Sequence, residues 1–262
     1  MLLSIQHETH YTYENPVDYS IQHLHLTPRS DANQKTHDWQ IFVKGNKQLQ
    51  IDGHGNIGHW LTLENPSQHI SIIVKGLVET TTSFCLVEYN LLLPLIYLLQ
   101  TPLTTYNKAI ETFSRQSIGN SQDLDLFAHL MNAIGDHMAF DSNASQVHDT
   151  ALQAFERKRG VCQDYAHLFV ACCRSMEIPA RYVSGYVFTG DDGHVASHAW
   201  AEAWSDVYGW VSCDATHRQF AGESYCRLAV GRDYLDACPV RGVRRGGGVE
   251  SMQVHVNVAA QQ

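Results

Sequence analysis

A cysteine, a histidine and an aspartate in separate segments have the side-chain types that nucleophilic catalysis requires. Cys162 follows Gly160-Val161 and opens a helical pattern in which Ala166 and Phe169 belong to an inward stripe. A cysteine in the first turn of a helix faces unpaired backbone N–H groups and the positive end of the helix dipole, and both favour the thiolate. For Cys162 alone, a buried structural cysteine is the simpler interpretation. The distinction depends on whether a general base can reach the sulfur.

Two predicted strands after this helix bring a histidine near an aspartate. They span residues 198–204 and 210–215. If the hairpin folds about residues 206 and 207, His198 pairs with position 214 or 215, and opposed side chains on one face have Cβ atoms ~5 Å apart. Asp214 could then hold the imidazole in one tautomer. A surface His–Asp pair on a hairpin is the alternative, and the helix-opening cysteine makes it the less favoured interpretation.

The first of these strands alternates large and small side chains. His198, Trp200, Glu202 and Trp204 share one face, and three alanines share the other. This pattern predicts a sheet that packs a helix tightly on its alanine side. Glu202 lies on the face of His198 and could tune it, although an exposed strand glutamate is an equal interpretation.

The first third of the chain has the pattern of an antiparallel β-domain. Short alternating runs recur at roughly ten-residue spacing between turn signals, which is typical of a sandwich or meander. We therefore predict an N-terminal antiparallel β-domain at 1–88 and a catalytic core at 89–262. A proline-punctuated connector at 89–104 opens the core.

Helix signals follow the connector. Apolar residues at three- and four-residue steps predict a helix that ends near Met138, with Ser121 as its N-cap. A shorter helix is predicted from Thr150 to about Lys158, with Gly160 ending it.

Composition and charge exclude several classes of protein. The chain has 262 residues, of which 44% are apolar and 17% charged, so it is long enough for a core and is neither disordered nor of low complexity. A net charge of -9 argues against nucleic acid or an anionic membrane as a partner. No signal peptide or membrane-spanning stretch is visible, and seven cysteines without framework spacing suit a reducing compartment. We expect a cytoplasmic protein; the sequence does not indicate its oligomeric state.

The 16 histidines raise the question of a metal. His23 and His25 would lie on one face of a strand, but zinc requires three or four ligands, so ordinary strand histidines are the favoured interpretation. The sequence contains neither HExxH nor paired CxxC motifs. We expect no metal and no cofactor, and a metal-dependent hydrolase is a weak alternative.

Four ordered motifs resemble those of the bacterial transglutaminase-like superfamily, whose members are often labelled cysteine proteases. The motifs are Gly160-Val161-Cys162-Gln163-Asp164-Tyr165-Ala166-His167-Leu168, Arg181-Tyr182-Val183-Ser184-Gly185-Tyr186, Ser197-His198-Ala199-Trp200-Ala201-Glu202 and Gly209-Trp210-Val211-Ser212-Cys213-Asp214-Ala215-Thr216. The N-terminal β-region and the stretches at 229–234 and 239–242 also resemble parts of this family. The resemblance therefore extends over nearly the whole chain.

This resemblance implies an α+β fold in which a papain-like, transglutaminase-like core of helices on an antiparallel sheet follows the β-domain. It also implies roles for Cys162 as the nucleophile, His198 as the base and Asp214 as the orienting carboxylate. One departure concerns the loop after Asp214, where Asp-Ala-Thr-His replaces the usual Asp-Pro-Thr-Asn. The loop thus loses a rigidifying proline and gains His217.

The hypothesis from sequence is a thiol hydrolase that acts on a peptide, protein or other amide-containing substrate through a thioester acyl-enzyme. The backbone N–H of Cys162 is expected to serve as one oxyanion donor. Tyr165, Tyr186 and Trp200 are candidates for the oxyanion site or groove wall, and each is equally compatible with plain core. Amine cross-linking, an arylamine-type acyltransferase and a non-catalytic binding module that retains the fold are the alternatives.

Overall fold

The protein is described by a computed structural model over residues 1–65, 67–88, 93–190 and 197–261. The described strands are β1 Leu2–Tyr13, β2 Val17–Thr27, β3 Gln34–Phe42, β4 Asn46–Ile51, β5 Ile57–Glu64, β6 His69–Thr80, β7 Cys85–Leu86, β8 Ala139–Phe140, β9 Arg159–Gly160, β10 Ala180–Val187, β11 Ser197–Ser205, β12 Gly209–Asp214, β13 Gln219–Phe220, β14 Tyr225–Gly231, β15 Val240–Gly246 and β16 Glu250–Gln261. The described α-helices are α1 Lys108–Ile118, α2 Asp123–His137, α3 Ala151–Arg157, α4 Cys162–Ser175 and α5 Tyr234–Ala237. Each of them falls short of the length and apolarity that a membrane span requires.

Two four-stranded antiparallel sheets form the β-domain. Their strand orders are β16-β1-β6-β3 and β15-β2-β5-β4. Alternate residues of β1 and β6 point inward, and Leu3 and Ile72 from the first sheet share one core with Leu24 and Leu61 from the second. This is the antiparallel sandwich that the alternating pattern predicts.

The division of the chain differs from the predicted boundaries. β16 pairs with β1 along its length, and β15 pairs with β2, so the last strands complete the two N-terminal sheets. β7, which falls before residue 88, pairs instead with β12 in the core sheet. Spacing along the chain did not indicate these pairings because they join residues far apart in sequence.

The core is a six-stranded antiparallel sheet covered by helices. Five of its strands follow the order β13-β12-β11-β10-β14. Ala201 and Ala203 of β11 pack in one cluster with Phe169 and Cys173 of α4. The small face of β11 therefore receives α4, as the alternation of side chains predicts, and the α+β class is confirmed.

Several predicted element ends shift by a few residues. α2 begins at Asp123, and the Ser121 hydroxyl bonds the ring of His129 rather than capping the helix. Thr150 does cap α3, accepting from a backbone N–H in its first turn, but Lys158 ends that helix in the left-handed conformation with φ 58°. Gly160 therefore does not end α3; it lies in β9, against the side chain of Asp164. From residue 93 onward the predicted connector forms two short 3-10 helices.

Candidate active site

Cys162 lies at the first position of α4, and the residues around it fix that position. The backbone N–H of Val161, the N-cap, donates to Asp164 Oδ2 at 2.8 Å. A Cβ atom on Gly160 would come within 2.4 Å of the same oxygen, so only glycine leaves room for this carboxylate. The Cys162 side chain is half-buried and packs beside Ala166 and Tyr234. The helix start thus holds a partly exposed cysteine at the first position of α4.

Asp164 is buried beneath the helix start. Burial raises the pKa of its carboxyl group, although the Val161 N–H and the Arg157 guanidinium oppose this shift. Arg157 Nη2 lies 3.6 Å from Asp164 Oδ1, and within the described ranges neither atom has a hydrogen bond. This ion pair balances the charge next to the first turn of α4.

His198 and Asp214 come together, with a different register from the predicted one. In the β11–β12 hairpin Ala201 lies opposite Cys213 and Ser205 opposite Gly209, which centres the turn on residue 207. His198 and Asp214 are therefore diagonal rather than directly opposed. His198 Nε2 nevertheless lies 2.7 Å from Asp214 Oδ2 in a hydrogen bond, and both residues are buried.

Five hydrogen-bond donors converge on Asp214. Oδ2 lies 2.7 Å from His198 Nε2, 2.6 Å from His217 Nδ1 and 2.7 Å from the Tyr225 hydroxyl, which donates to it. Oδ1 accepts from the backbone N–H groups of Thr216 at 2.9 Å and His217 at 3.3 Å. Burial alone would raise the pKa of this carboxyl group, but the histidine contacts outweigh it and hold the pKa well below its usual range. Asp214 is therefore a buried carboxylate at neutral pH.

The electrostatics of His198 favour the imidazolium. Burial disfavours its charged form, but the hydrogen bond to Asp214 and a second one to the Cys162 side chain together raise its pKa to about 10. Because Nε2 is bonded to Asp214, Nδ1 is the nitrogen left for Cys162. A negative sulfur, a positive imidazole and a negative carboxylate would stabilise one another in this order. We call Cys162, His198 and Asp214 the Cys–His–Asp group.

The three groove candidates lie in packed interiors. Tyr165 is 3% exposed, and its hydroxyl donates to the carbonyl oxygen of Met138. Tyr186 is 1% exposed and bonds His7 in the β-domain core. Neither ring is placed to form a groove wall, so these two residues belong to the core.

Trp200 packs directly against the histidine. Its ring lies 6.2 Å from that of His198 and 5.3 Å from that of Tyr225. Gly185 makes room for it, because a Cβ there would come within 2.5 Å of the indole. With 2% of its surface exposed, Trp200 keeps water from this side of the His198–Asp214 pair. Its indole N–H is buried and has no hydrogen-bond partner among the residues that the structure describes.

Glu202 belongs to a buried ion-pair network and matches neither interpretation from the sequence. Arg181 Nε donates to it at 2.6 Å and Arg227 Nη1 at 2.9 Å. Burial opposes ionisation, but these two arginines lower the pKa of Glu202 to about 2. Arg227 also pairs with Asp31 and Arg181 with Glu88, so the network joins the β-domain to the core sheet.

Sequence reasoning missed Tyr225 and the role of His217. Tyr225 reaches Asp214 from β14, which pairs with β10, and no spacing signal indicates that pairing. His217 was noted as a departure in the loop, and its position three residues after Asp214 was the available signal. The turn brings the His217 ring into hydrogen-bond contact with the Asp214 carboxylate, and 41% of the His217 side chain is exposed.

Within the described part of the chain, the group of side chains that could hold a metal does not include His23 and His25, the strand pair weighed and disfavoured as ligands from the sequence. His25 donates from Nδ1 to the Cys238 carbonyl oxygen, and its Nε2 lies 3.4 Å from Asp52 Oδ2. Within the described ranges, one group of three metal-capable side chains has all its ligand atoms within 4.8 Å of one another, and it consists of His198, Asp214 and His217. The first two belong to the Cys–His–Asp group.

Comparisons with known proteins agree with this arrangement. A profile described as the transglutaminase-like superfamily matches residues 111–215, which include Cys162, His198 and Asp214. A second profile, the bacterial transglutaminase-like N-terminal region, matches residues 3–79. The chain belongs to the transglutaminase-like superfamily. The resemblance noted from the sequence motifs is thereby confirmed.

Individual relatives of this transglutaminase-like protein extend the comparison. An uncharacterized protein of Mycobacterium leprae is 28% identical over 98% of both chains. The protein-glutamine gamma-glutamyltransferase of Pseudomonas aeruginosa is 32% identical over 108 residues, which cover 36% of this chain and 16% of that protein. A crystal structure from Cytophaga hutchinsonii, named a putative cysteine protease, has a TM-score of 0.79 at 21% identity and covers 99% of this chain and 90% of its own. That likeness establishes the shared fold.

Proposed function

We propose that the protein is a thiol-dependent amidase or peptidase in which Cys162 is the nucleophile, His198 the general base and acid, and Asp214 the orienting carboxylate. The observation that carries the proposal is the position of His198, which bonds Asp214 through Nε2 and contacts the Cys162 side chain. A nucleophile, a base in reach of it and a third group that orients the base are the parts that covalent acyl transfer requires.

The proposed reaction begins with attack of the Cys162 sulfur on an amide carbonyl carbon. The tetrahedral intermediate collapses as His198 Nδ1 gives its proton to the leaving amine, which leaves a thioester on the sulfur. A water molecule then attacks the thioester and gives a proton back to His198, and the sulfur departs as thiolate. Proton transfer by a positioned histidine typically contributes ~10²–10⁴-fold to the rate.

The start of α4 would assist by binding the oxyanion. The first N–H groups of a helix have no partner within it, and that of Cys162 is among them. One such donor is worth ~3–4 kcal/mol in other acyl-transfer sites. The buried Trp200 and Asp214 would keep the protein side of the histidine dry, so that its charge acts mainly on the sulfur.

Acyl transfer to an amine is the second candidate function. It shares the thioester with hydrolysis and differs only in the group that attacks it. The similarity of 108 residues to a protein named as a glutamyltransferase favours this candidate. A single experiment separates the two outcomes: a glutamine-containing peptide is incubated with increasing concentrations of a fluorescent primary amine. Hydrolysis predicts carboxylate product at every amine concentration, and transfer predicts amide product that rises with the amine.

Thiol labelling tests the proposal itself, and the chain supplies an internal control. Cys85 and Cys162 are half-buried, while the other five cysteines are buried. Burial raises the pKa of the Cys85 thiol, and Cys85 has no histidine contact in the described structure. We expect iodoacetamide at pH 6.5 to alkylate Cys162 roughly tenfold or more faster than Cys85, because a thiolate reacts and a thiol does not. Equal rates, or substrate turnover by the Cys162→Ala variant, would contradict the proposed role.

A further inference from the structure

The loop after Asp214 adds a second imidazole to the triad carboxylate. The backbone N–H groups of Thr216 and His217 both donate to Asp214 Oδ1, which turns the chain back on itself. This turn places His217 Nδ1 2.6 Å from Oδ2, on the oxygen that also bonds His198 Nε2. The ring centroids of the two histidines are 4.9 Å apart. Three potential metal ligands therefore meet at one point, and nothing in the acyl-transfer reaction requires the third.

The donor set suits a divalent ion of borderline softness. Two imidazole nitrogens and one carboxylate oxygen, with a water in the fourth position, form a common zinc site. Bonds of ~2.0–2.2 Å in tetrahedral geometry hold neighbouring ligand atoms ~3.3 Å apart. The present N–O separations are 2.6 and 2.7 Å, so each imidazole nitrogen would have to move away from the carboxylate oxygen by roughly 0.6–0.7 Å to admit the ion. His217 is the partly exposed member, so its ring can move and open the way.

We propose that Zn²⁺ binds to His198 Nε2, Asp214 Oδ2 and His217 Nδ1 and thereby switches the enzyme off. His198 releases its Nε2 proton to solvent when the zinc–nitrogen bond forms, and it keeps its proton on Nδ1. His217 loses its Nδ1 proton and takes one from solvent on Nε2, so binding releases one proton in total. His198 is then left without a lone pair to take a proton from Cys162 or from water. The loss of activity rests on the proposed function, whereas zinc binding does not.

Zinc binding is measured first in a protein that lacks the reactive sulfur. The Cys162→Ser variant is stripped with a chelator, dialysed and titrated with zinc chloride by calorimetry. The same titration follows in the double variants with His217→Asn and, as the matched control, His129→Asn, which removes an exposed histidine outside the site. We expect one zinc per chain whose affinity falls at least tenfold with His217→Asn and is unchanged with His129→Asn.

The consequence is then measured with Cys162 present. Zinc should slow turnover and iodoacetamide labelling of Cys162, a chelator should restore both, and His217→Asn should require at least tenfold more zinc for the same effect. Equal zinc affinity with and without His217, or no stoichiometric binding, overturns the proposal even if Cys162 proves to be the nucleophile. Thermal melting of each variant identifies any that is unfolded, and His217→Gln then replaces it. A slow Cys162 would instead overturn the proposed function and leave the binding result intact.

Discussion

Replacing Asp214 by asparagine removes a charge and also leaves hydrogen-bond donors without an acceptor. The number of these donors follows from the structure. Three side-chain donors face Oδ2 and two backbone donors face Oδ1. An amide supplies one acceptor oxygen and one NH₂ group, so at least two donors would face the NH₂ in either orientation. An unsatisfied buried donor costs ~1–3 kcal/mol, which puts the loss in free energy of unfolding at ~2–6 kcal/mol. That is a large share of the ~5–15 kcal/mol that stabilises a typical domain.

The matched control is Tyr225→Phe, which removes one donor and leaves the carboxylate. A single hydrogen bond contributes ~0.5–1.5 kcal/mol, so this variant should unfold at a urea concentration close to that of the wild type. Asp214→Asn should unfold at a clearly lower concentration and lose the rapid alkylation of Cys162. Coincident urea midpoints for the two variants would show that the five donors do not converge on residue 214 in solution.

Three further predictions follow from charges and close contacts. His198 has a pKa of about 10 in the folded protein and ~6.5 when unfolded. Its charged form therefore stabilises the fold fully below pH 6.5, and this stabilisation is lost as the pH rises toward 10. The urea midpoint of the wild type should fall over that pH range, and the midpoint of His198→Ala should change less. Glu202→Gln weakens the charge balance of two buried arginines and should cost ~3–5 kcal/mol in urea unfolding. Glu111→Gln, which removes two solvent-accessible ion pairs on α1, should move the midpoint far less. Gly160→Ala should displace Asp164 and slow Cys162 alkylation, and unchanged kinetics would show that the tight contact is dispensable.

The sequence predicted the positions of Cys162, His198 and Asp214 better than it predicted the residues packed around them. Helix-start position, strand alternation and hairpin spacing involve residues close in the chain, and they placed Cys162, His198 and Asp214 in the right elements. The one-residue uncertainty of the turn did not matter, because diagonal side chains on one face can still touch. Spacing along the chain could not predict the position of Tyr225 or of the β-domain strands at 240–261. The strand of Tyr225, β14, pairs with β10, and β16 pairs with β1, so the partners are distant in sequence.

Two tyrosines that were candidates for the groove also show what sequence spacing does not predict, which is the direction in which a side chain packs. Tyr165 and Tyr186 stand close to reactive motifs in the sequence, yet their rings enter the interiors of two different layers. Residue type indicates that a tyrosine can line a groove. Only the packing of neighbouring elements decides which way its ring turns, and that packing is set by contacts between segments.

The pairing of β16 with β1 and of β15 with β2 affects how the molecule is made. Ribosomes release the first strands of the sandwich early and the last ones only after the whole helical layer has emerged. Until then both sheets have unpaired edge strands, and unpaired edge strands can pair with other chains and cause aggregation. The Cys–His–Asp group thus lies in a long segment between the first and the last strands of the sandwich, and the sandwich is completed last. In this order of synthesis the nascent chain exposes unpaired strand edges for longer than two consecutive domains would.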